Sequence, residues 1–153
     1  MSSPATHALD QLFIPYRIFE HIHLPDSLEQ AARERGQIPD QIIRSILFRS
    51  RKDNFFLTLA AGPQQVSWRK LRVHLGISRI SMANEEEVLG VTGYAVGTVS
   101  PLGIAHLTRI LADLSIFLQD EISLGSGIRG VAIIMKSADL KRALGEIEVG
   151  QFC

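Results

Sequence analysis

The stretch Gly93-Tyr94-Ala95-Val96-Gly97-Thr98-Val99-Ser100-Pro101-Leu102-Gly103 holds three glycines and a proline and no charged side chain. Glycine admits positive φ and lets backbone N–H groups approach a ligand, while proline fixes the direction in which the chain leaves. The stretch therefore reads as a shaped loop, able to hold a carbonyl or phosphate oxygen, rather than as a linker. A second cluster, Gly125-Ser126-Gly127-Ile128-Arg129-Gly130, stands just before the apolar run 131–135. Two loops of backbone donors in one small chain point to a single site.

At 153 residues and 46% apolar composition, the chain is long enough for one globular domain spanning 1–153. Sixteen basic and sixteen acidic side chains cancel, so any RNA contact must come from a local patch, and no DNA partner is expected. The single cysteine, Cys153, has no partner for an internal disulfide, which fits a reducing cytoplasm. Residues 1–7 lack a basic segment leading into an apolar one. No apolar run approaches the ~20 residues of a membrane span, so a soluble, cytoplasmic chain without a membrane partner is expected.

Apolar spacing predicts a helix over 5–13, a strand over 16–22 after Pro15, and a helix over 28–35 capped by Asp26-Ser27 and stopped by Gly36. Strands over 45–49 and 55–60 flank Arg51-Lys52-Asp53-Asn54, which reads as a hairpin turn. Ser67 caps a helix through Leu75, with Trp68, Leu71 and Leu75 on one face and Arg69 and Arg72 on another. Asn84 caps a short helix through Val88 whose acidic first turn suits the helix dipole. Further strands are expected over 115–120 and 131–135, and a last helix, capped by Ser137, over 138–144. Alternating helices and short strands without a dinucleotide fingerprint give an α/β domain around a mixed sheet, not a Rossmann fold.

The residue types exclude several chemistries. The five histidines are dispersed and no cysteine pair exists, so no metal and no cofactor is expected; His21 and His23 could share a strand face, but two rings do not make a zinc site. Ser100 lies in a G-x-x-S-P context rather than a nucleophile elbow, and its hydroxyl is expected to bond loop backbone. Arg49, Arg51, Lys52, Arg69, Lys70 and Arg72 form the basic groupings that could track phosphates, or simply a solvated face.

The run 93–103 resembles the GYxxGxxSPLG signature of the YbaK-like aminoacyl-tRNA deacylases, the superfamily that includes the editing domain inserted in prolyl-tRNA synthetases. Within it, Gly97-Thr98-Val99-Ser100-Pro101 matches the family's GxxxP motif. Pro39-Asp40-Gln41-Ile42-Ile43-Arg44-Ser45-Ile46-Leu47, Ile80-Ser81-Met82-Ala83-Asn84 and the second glycine cluster agree in the same order. The resemblance covers nearly the whole chain. It implies a mixed, curved, barrel-like sheet flanked by helices, and a free-standing trans-editing deacylase acting on the acceptor end of a mischarged tRNA, with a synthetase as a further partner. A small acyl group is the substrate it points to. In that family the neighbouring ribose hydroxyl is thought to help activate water, which accords with the absence of a strong protein base.

By resemblance, Arg44, Gly97, Ser100 and Pro101 fall at catalytic positions, and Gly93, Tyr94, Thr98, Val99, Gly125, Ser126 and Gly127 at substrate-binding ones. Arg69, Lys70 and Arg72 are candidates for contact with tRNA. Three positions depart from the pattern: Arg44 stands for the family's lysine, Asn84 for an aspartate, and Ile128 for the lysine of GKRG. Arginine keeps the charge but is planar and cannot act as a base, so a catalytically silent binding module of the same fold remains an alternative, as does a general esterase. Ile128 makes its side of the pocket less polar.

Overall fold

The computed structural model describes residues 1–106 and 108–153. Helix α1 (Pro4–Gln11) starts where the Ser3 hydroxyl accepts from the Thr6 N–H at 3.2 Å and proline occupies the first turn. It ends before Phe13, whose φ of 55° breaks the helix that the apolar spacing would carry on. Strand β1 (Arg17–Glu20) is shorter than expected and releases His21. Helix α2 (Leu28–Glu34) is capped by Ser27, and a 3-10 turn (Pro39–Gln41) leads into β2 (Ile43–Arg51), which forms a hairpin with β3 (Asn54–Ala61). Asp53 takes a φ of 60° at that hairpin.

Helix α3 (Trp68–Leu75), capped by Ser67, stops at Gly76, whose φ of 68° is the left-handed closure that glycine allows. A two-residue strand β4 (Ser81–Met82) precedes α4 (Glu85–Thr92). Asn84 and Glu87 cap α4 reciprocally, at 2.8 and 2.9 Å. The chain continues through β5 (Arg109–Asp113), a 3-10 turn (Leu114–Leu118), β6 (Glu121–Gly125), β7 (Val131–Lys136), α5 (Ser137–Leu144) and β8 (Glu148–Gly150).

Two expectations are corrected here. The strand expected over 115–120 is mostly the 3-10 turn, because the buried Asp113 carboxylate accepts from the Ser115 N–H at 3.1 Å and from its hydroxyl, tightening the chain directly after β5. The flanking runs form β5 and β6 instead. Ser137 does not cap α5: its hydroxyl donates to the Gln119 carbonyl at 2.6 Å, and Lys136 is the cap residue, without a side-chain bond.

The strands form a five-stranded mixed sheet, β4-β2-β3-β5-β8, and a three-stranded antiparallel sheet, β1-β7-β6. In the larger sheet β3 runs parallel to β5 and β5 parallel to β8, while its other pairs are antiparallel. The sheets meet at a bridge between Ile42 and Ser123, and among the described residues they do not close into a barrel. The main core holds Leu57, Leu59, Ala112, Ile122, Leu124 and Ile133. On the opposite face of the larger sheet, Phe48, Phe56, Leu71, Leu111 and Phe152 form a second cluster under α3. Among the described residues, no helix is long and apolar enough to cross a membrane.

Glu148 ties β8 to its neighbours, accepting from Arg109 Nη2 at 2.6 Å and meeting His74 Nε2 at 3.0 Å. Hydrogen bonds from Arg109, then from His74, pull its carboxyl down to about 2. A depressed folded pKa stabilises above the ordinary glutamate range and is lost as pH falls through the folded value. Glu148→Gln should therefore lower the melting temperature near neutral pH by about 1–4 °C, allowing for solvent screening. The difference from the parent should vanish as pH falls from about 4.5 towards about 2, checked by melting at several pH values.

Candidate functional site

The loop 93–103 is held by its own backbone and by the turn between β6 and β7. Gly93 ends α4 with a φ of 81°, and the Tyr94 hydroxyl donates to the Leu102 carbonyl at 2.6 Å. Burial pushes the Tyr94 phenol up to about 12, so it stays protonated and serves as a strut. Ser100 is fully buried, and its hydroxyl accepts from the Leu102 N–H at 3.2 Å, the backbone role expected of it. Pro101 is buried beside it. From the other loop, the Gly127 N–H donates to the Thr98 carbonyl at 2.9 Å, and the Tyr94 ring covers the place a Gly127 side chain would need. The Ser126 hydroxyl donates to the Val131 carbonyl at 2.7 Å and accepts from the Ile128 N–H at 3.1 Å.

Between these loops and the start of β2 lies an open cavity of about 440 Å³. Of the sequence-predicted residues, it brings together Arg44, Gly97, Thr98, Val99 and Gly125. Gly93, Tyr94, Ser100, Pro101, Ser126 and Gly127 lie behind the wall and shape it. Arg69, Lys70 and Arg72 border separate shallow depressions on α3, and the Lys70 ammonium donates to the Cys153 carbonyl at 2.7 Å. Among the described residues, the N–H groups of Gly97 and Val99 meet no acceptor within the chain. They are the backbone donors at the cavity's edge.

Arg44 borders the cavity with Gly97, while its guanidinium is tied to main-chain carbonyls. On β2, Ile43, Ser45 and Leu47 share the main-core face, whereas Arg44 falls on the face of Ile46 and Phe48. Its guanidinium donates to the Gly62 carbonyl, Nε to oxygen at 2.8 Å, and to that of Gln64, so the chain after β3 occupies it. The cation beside Gly97 is Arg129: Nη1 lies 3.2 Å from where a Gly97 Cβ would stand, and Nη2 donates to the Val96 carbonyl at 3.2 Å.

Sequence reasoning passed over four further lining residues: Arg129, Ser45, His21 and Arg35. Arg129 stood within a quoted motif, and Ser45 interrupts an apolar strand run with a hydroxyl. That hydroxyl is buried and has no hydrogen-bond partner among the described residues. His21 and Arg35 gave no signal, since contact between the end of β1 and the end of α2 depends on tertiary packing. His21 is buried while His23 is exposed, so the two do not act together. Three arginines and no carboxylate line the cavity among the described residues. It can thus receive negative charge, and Leu24, Pro25, Ile42, Val99, Leu124 and Ile128 give it apolar walls.

A fold of two sheets clasping a glycine-loop cavity places the chain in a recognisable class. Residues 24–143 match the family model of the aminoacyl-tRNA editing domain, and the chain belongs to that family. It is 36% identical over 78 residues to a proline–tRNA ligase of Kosmotoga olearia, covering 51% of this chain and 13% of that enzyme. It is 32% identical over 114 residues to the uncharacterized protein YwhH of Bacillus subtilis, covering 74% of this chain and 72% of that one. A solved structure described as a candidate trans-editing enzyme for prolyl tRNA synthetase superposes with a TM-score of 0.85 at 24% identity, over 99% of this chain and 98% of the other. That likeness concerns the fold.

Gly125 touches the cavity wall most closely, since any Cβ there would overlap the Val99 carbonyl oxygen. Gly125→Ala should force the two loops apart and destabilise the protein by about 1–3 kcal/mol, measured by urea unfolding. Gly76→Ala, at a glycine with no neighbour within 4 Å, should cost only the left-handed backbone conformation, about 1–2 kcal/mol, and leave the cavity unchanged.

Proposed function

We propose that this chain is a trans-acting deacylase that hydrolyses the ester of a mischarged aminoacyl-tRNA in the cytoplasm. The observation that carries this reading is the pair of unpartnered N–H groups, Gly97 and Val99, at the rim of a cationic cavity in a member of the editing-domain family. Such donors stabilise the oxyanion that forms when water adds to the ester carbonyl, and one well-placed N–H is worth about 3 kcal/mol of barrier. Collapse of that intermediate expels the ribose oxygen, which leaves with a proton as alcohol. The ionisable groups on the cavity wall are three arginines, which cannot accept a proton, and His21, whose two ring nitrogens are already engaged by Glu34 and Arg35. The terminal ribose hydroxyl beside the ester is then the group that activates water. A cavity of this size with apolar walls suits a small acyl side chain, and rejection of near-isosteres by a second sieve is what a synthetase pocket alone cannot supply. Arg69 and Arg72 would meet phosphates of the acceptor stem.

One observation favours a second reading, the catalytically silent binding module. The Arg44 guanidinium, which replaces the family's lysine, is engaged by the carbonyls of Gly62 and Gln64.

The two are separated by a deacylation screen over a panel of mischarged tRNAs, with and without chelator. Release of an amino acid from at least one member, unaffected by chelator, is the expected result; no acceleration over buffer for any member leaves the binding module. On the best substrate, replacing the 2′-OH of the terminal adenosine by hydrogen, with the acyl group on the 3′ position, should lower the single-turnover rate far more than the affinity. Equal rates would mean that a protein group activates the water.

The Arg44 series tests the departure directly. Arg44→Ala should lower the single-turnover rate by about 10- to 100-fold and weaken the fold by about 1.5–3 kcal/mol, since two carbonyls lose a charged donor. Arg44→Lys should retain or raise the rate, because an ammonium on a flexible stem can leave those carbonyls and reach the cavity. Parental activity in Arg44→Ala would remove Arg44 from the site.

A further inference from the structure

Arg35 and His21 have so far been only wall residues, yet they belong to a continuous polar chain that ends at the cavity. Arg35 is the C-terminal cap of α2, and its side chain leaves the helix towards β6. Nε donates to His21 Nε2 at 3.1 Å and Nη1 to the Ser123 hydroxyl at 2.9 Å. Because an arginine Nε always carries its proton, His21 Nε2 must accept, so the imidazole proton sits on Nδ1. Nδ1 then donates to Glu34 Oε1 at 2.7 Å, and this hydrogen bond, helped by one from Gln30, holds the Glu34 carboxyl below its ordinary range. On the other side, the Ser123 hydroxyl donates to Gln37 Oε1 at 2.7 Å. The His21 ring is packed edge-on against Phe19 at 4.9 Å, and the His21 backbone N–H donates to the Gly130 carbonyl at 2.9 Å. Every member of the chain is thus fixed in orientation.

A tie between α2 and β6 would account for Nε and Nη1, but two features remain. Arg35 is bonded to a neutral histidine and a hydroxyl, while the adjacent Glu34 carboxylate is directed to His21 and Gln30. No carboxylate is hydrogen-bonded to it among the described residues, and the burial that disfavours the charged guanidinium is opposed by the neighbouring charge of Glu34. In addition, Nη2 has no acceptor among the described residues. It is not one of the buried side-chain atoms that lack partners, which are Ser45 Oγ and Thr58 Oγ1. Nη2 is therefore not sealed from solvent, and Arg35 borders the cavity.

We propose that Arg35 is a substrate-positioning residue that receives an oxyanion of the bound substrate on its Nη2 edge, and that His21, fixed by Glu34, aims it. The inference rests on the deacylase reading for the identity of the substrate but not for the binding of the anion. Two parts of an aminoacyl-RNA end could supply that oxyanion: a phosphate next to the terminal nucleoside, or a carboxylate on the acyl side chain. Both offer the planar or forked oxygens that a guanidinium edge holds.

The experiment is a calorimetric comparison of two ligand pairs on the full chain: adenosine 5′-monophosphate against adenosine, and N-acetyl-aspartate against N-acetyl-asparagine. The wild type should bind the anionic member of one pair about tenfold or more tightly than its neutral counterpart, and which pair it is identifies the source. Arg35→Met should reduce that ratio to near unity while leaving the neutral ligand's affinity in place. Arg35→Lys, which keeps the charge but cannot bond His21, Ser123 and ligand together, should retain only part of it. His21→Phe should lower the ratio about threefold or more without removing a charge, a loss that a purely structural tie would not produce. Melting curves identify any variant that has unfolded, and the lysine variant then carries the comparison. No charge preference in the wild type for either pair, or an undiminished one in Arg35→Met, overturns the proposal. Deacylation is measured separately: an active enzyme without the preference rejects this inference alone, and an inactive chain that keeps the preference rejects the deacylase alone.

Discussion

A main-chain contact fastens the two glycine loops together, and the cavity exists because of it. The Gly127 N–H reaches the Thr98 carbonyl, the Val99 carbonyl lies against Gly125, and the Tyr94 ring covers Gly127. Each approach needs the missing Cβ on one partner. The loop 93–103 is therefore seated on the three-stranded sheet, although α4, from which it emerges, follows a strand of the other sheet. With Thr98 held through its carbonyl, its neighbours Gly97 and Val99 line the cavity, and among the described residues their N–H groups have no acceptor.

The second constraint is the two-residue period of β2. Ser45 and Arg44 are neighbours in sequence but lie on opposite faces, so the strand gives the core side an unpartnered hydroxyl and the α3 side a guanidinium. On that outer side the carbonyls of Gly62 and Gln64 collect the guanidinium. Further positive charge borders the cavity at Arg129 on the second glycine loop and at Arg35 at the end of α2.

Much of this was legible in the sequence. The caps at Ser27, Ser67 and Asn84, the stop at Gly36 and the β2–β3 hairpin are local events, set by residues within one turn of each other. The glycine loops were equally plain, since their special backbone has a fixed residue type. What failed was non-local. β5 is a short, buried, parallel strand, Arg109-Ile110-Leu111-Ala112-Asp113, with no alternation to mark it. The 3-10 turn after it depends on Asp113, which also accepts from the distant Phe152 N–H at 2.7 Å. In the site, the residues that line the wall and those that hold it from behind share one motif, and only packing sorts Gly97 from Ser100. The chain from Glu34 through His21 to Arg35 joins elements that sequence spacing cannot bring together.

A site whose donors are main-chain N–H groups has an unusual relation to mutation. Replacing the side chain of Val99 leaves its N–H in place, and the loop's shape is held by Tyr94 and Ser100 from within and by glycines of the facing turn. The apolar wall of the cavity, by contrast, is made of side chains such as Leu24, Ile42 and Ile128. On the proposed reading, reactivity and preference would be inherited separately: successive substitutions in the apolar wall would carry such a domain from one acyl group to another while the loop that would perform the chemistry stays unaltered.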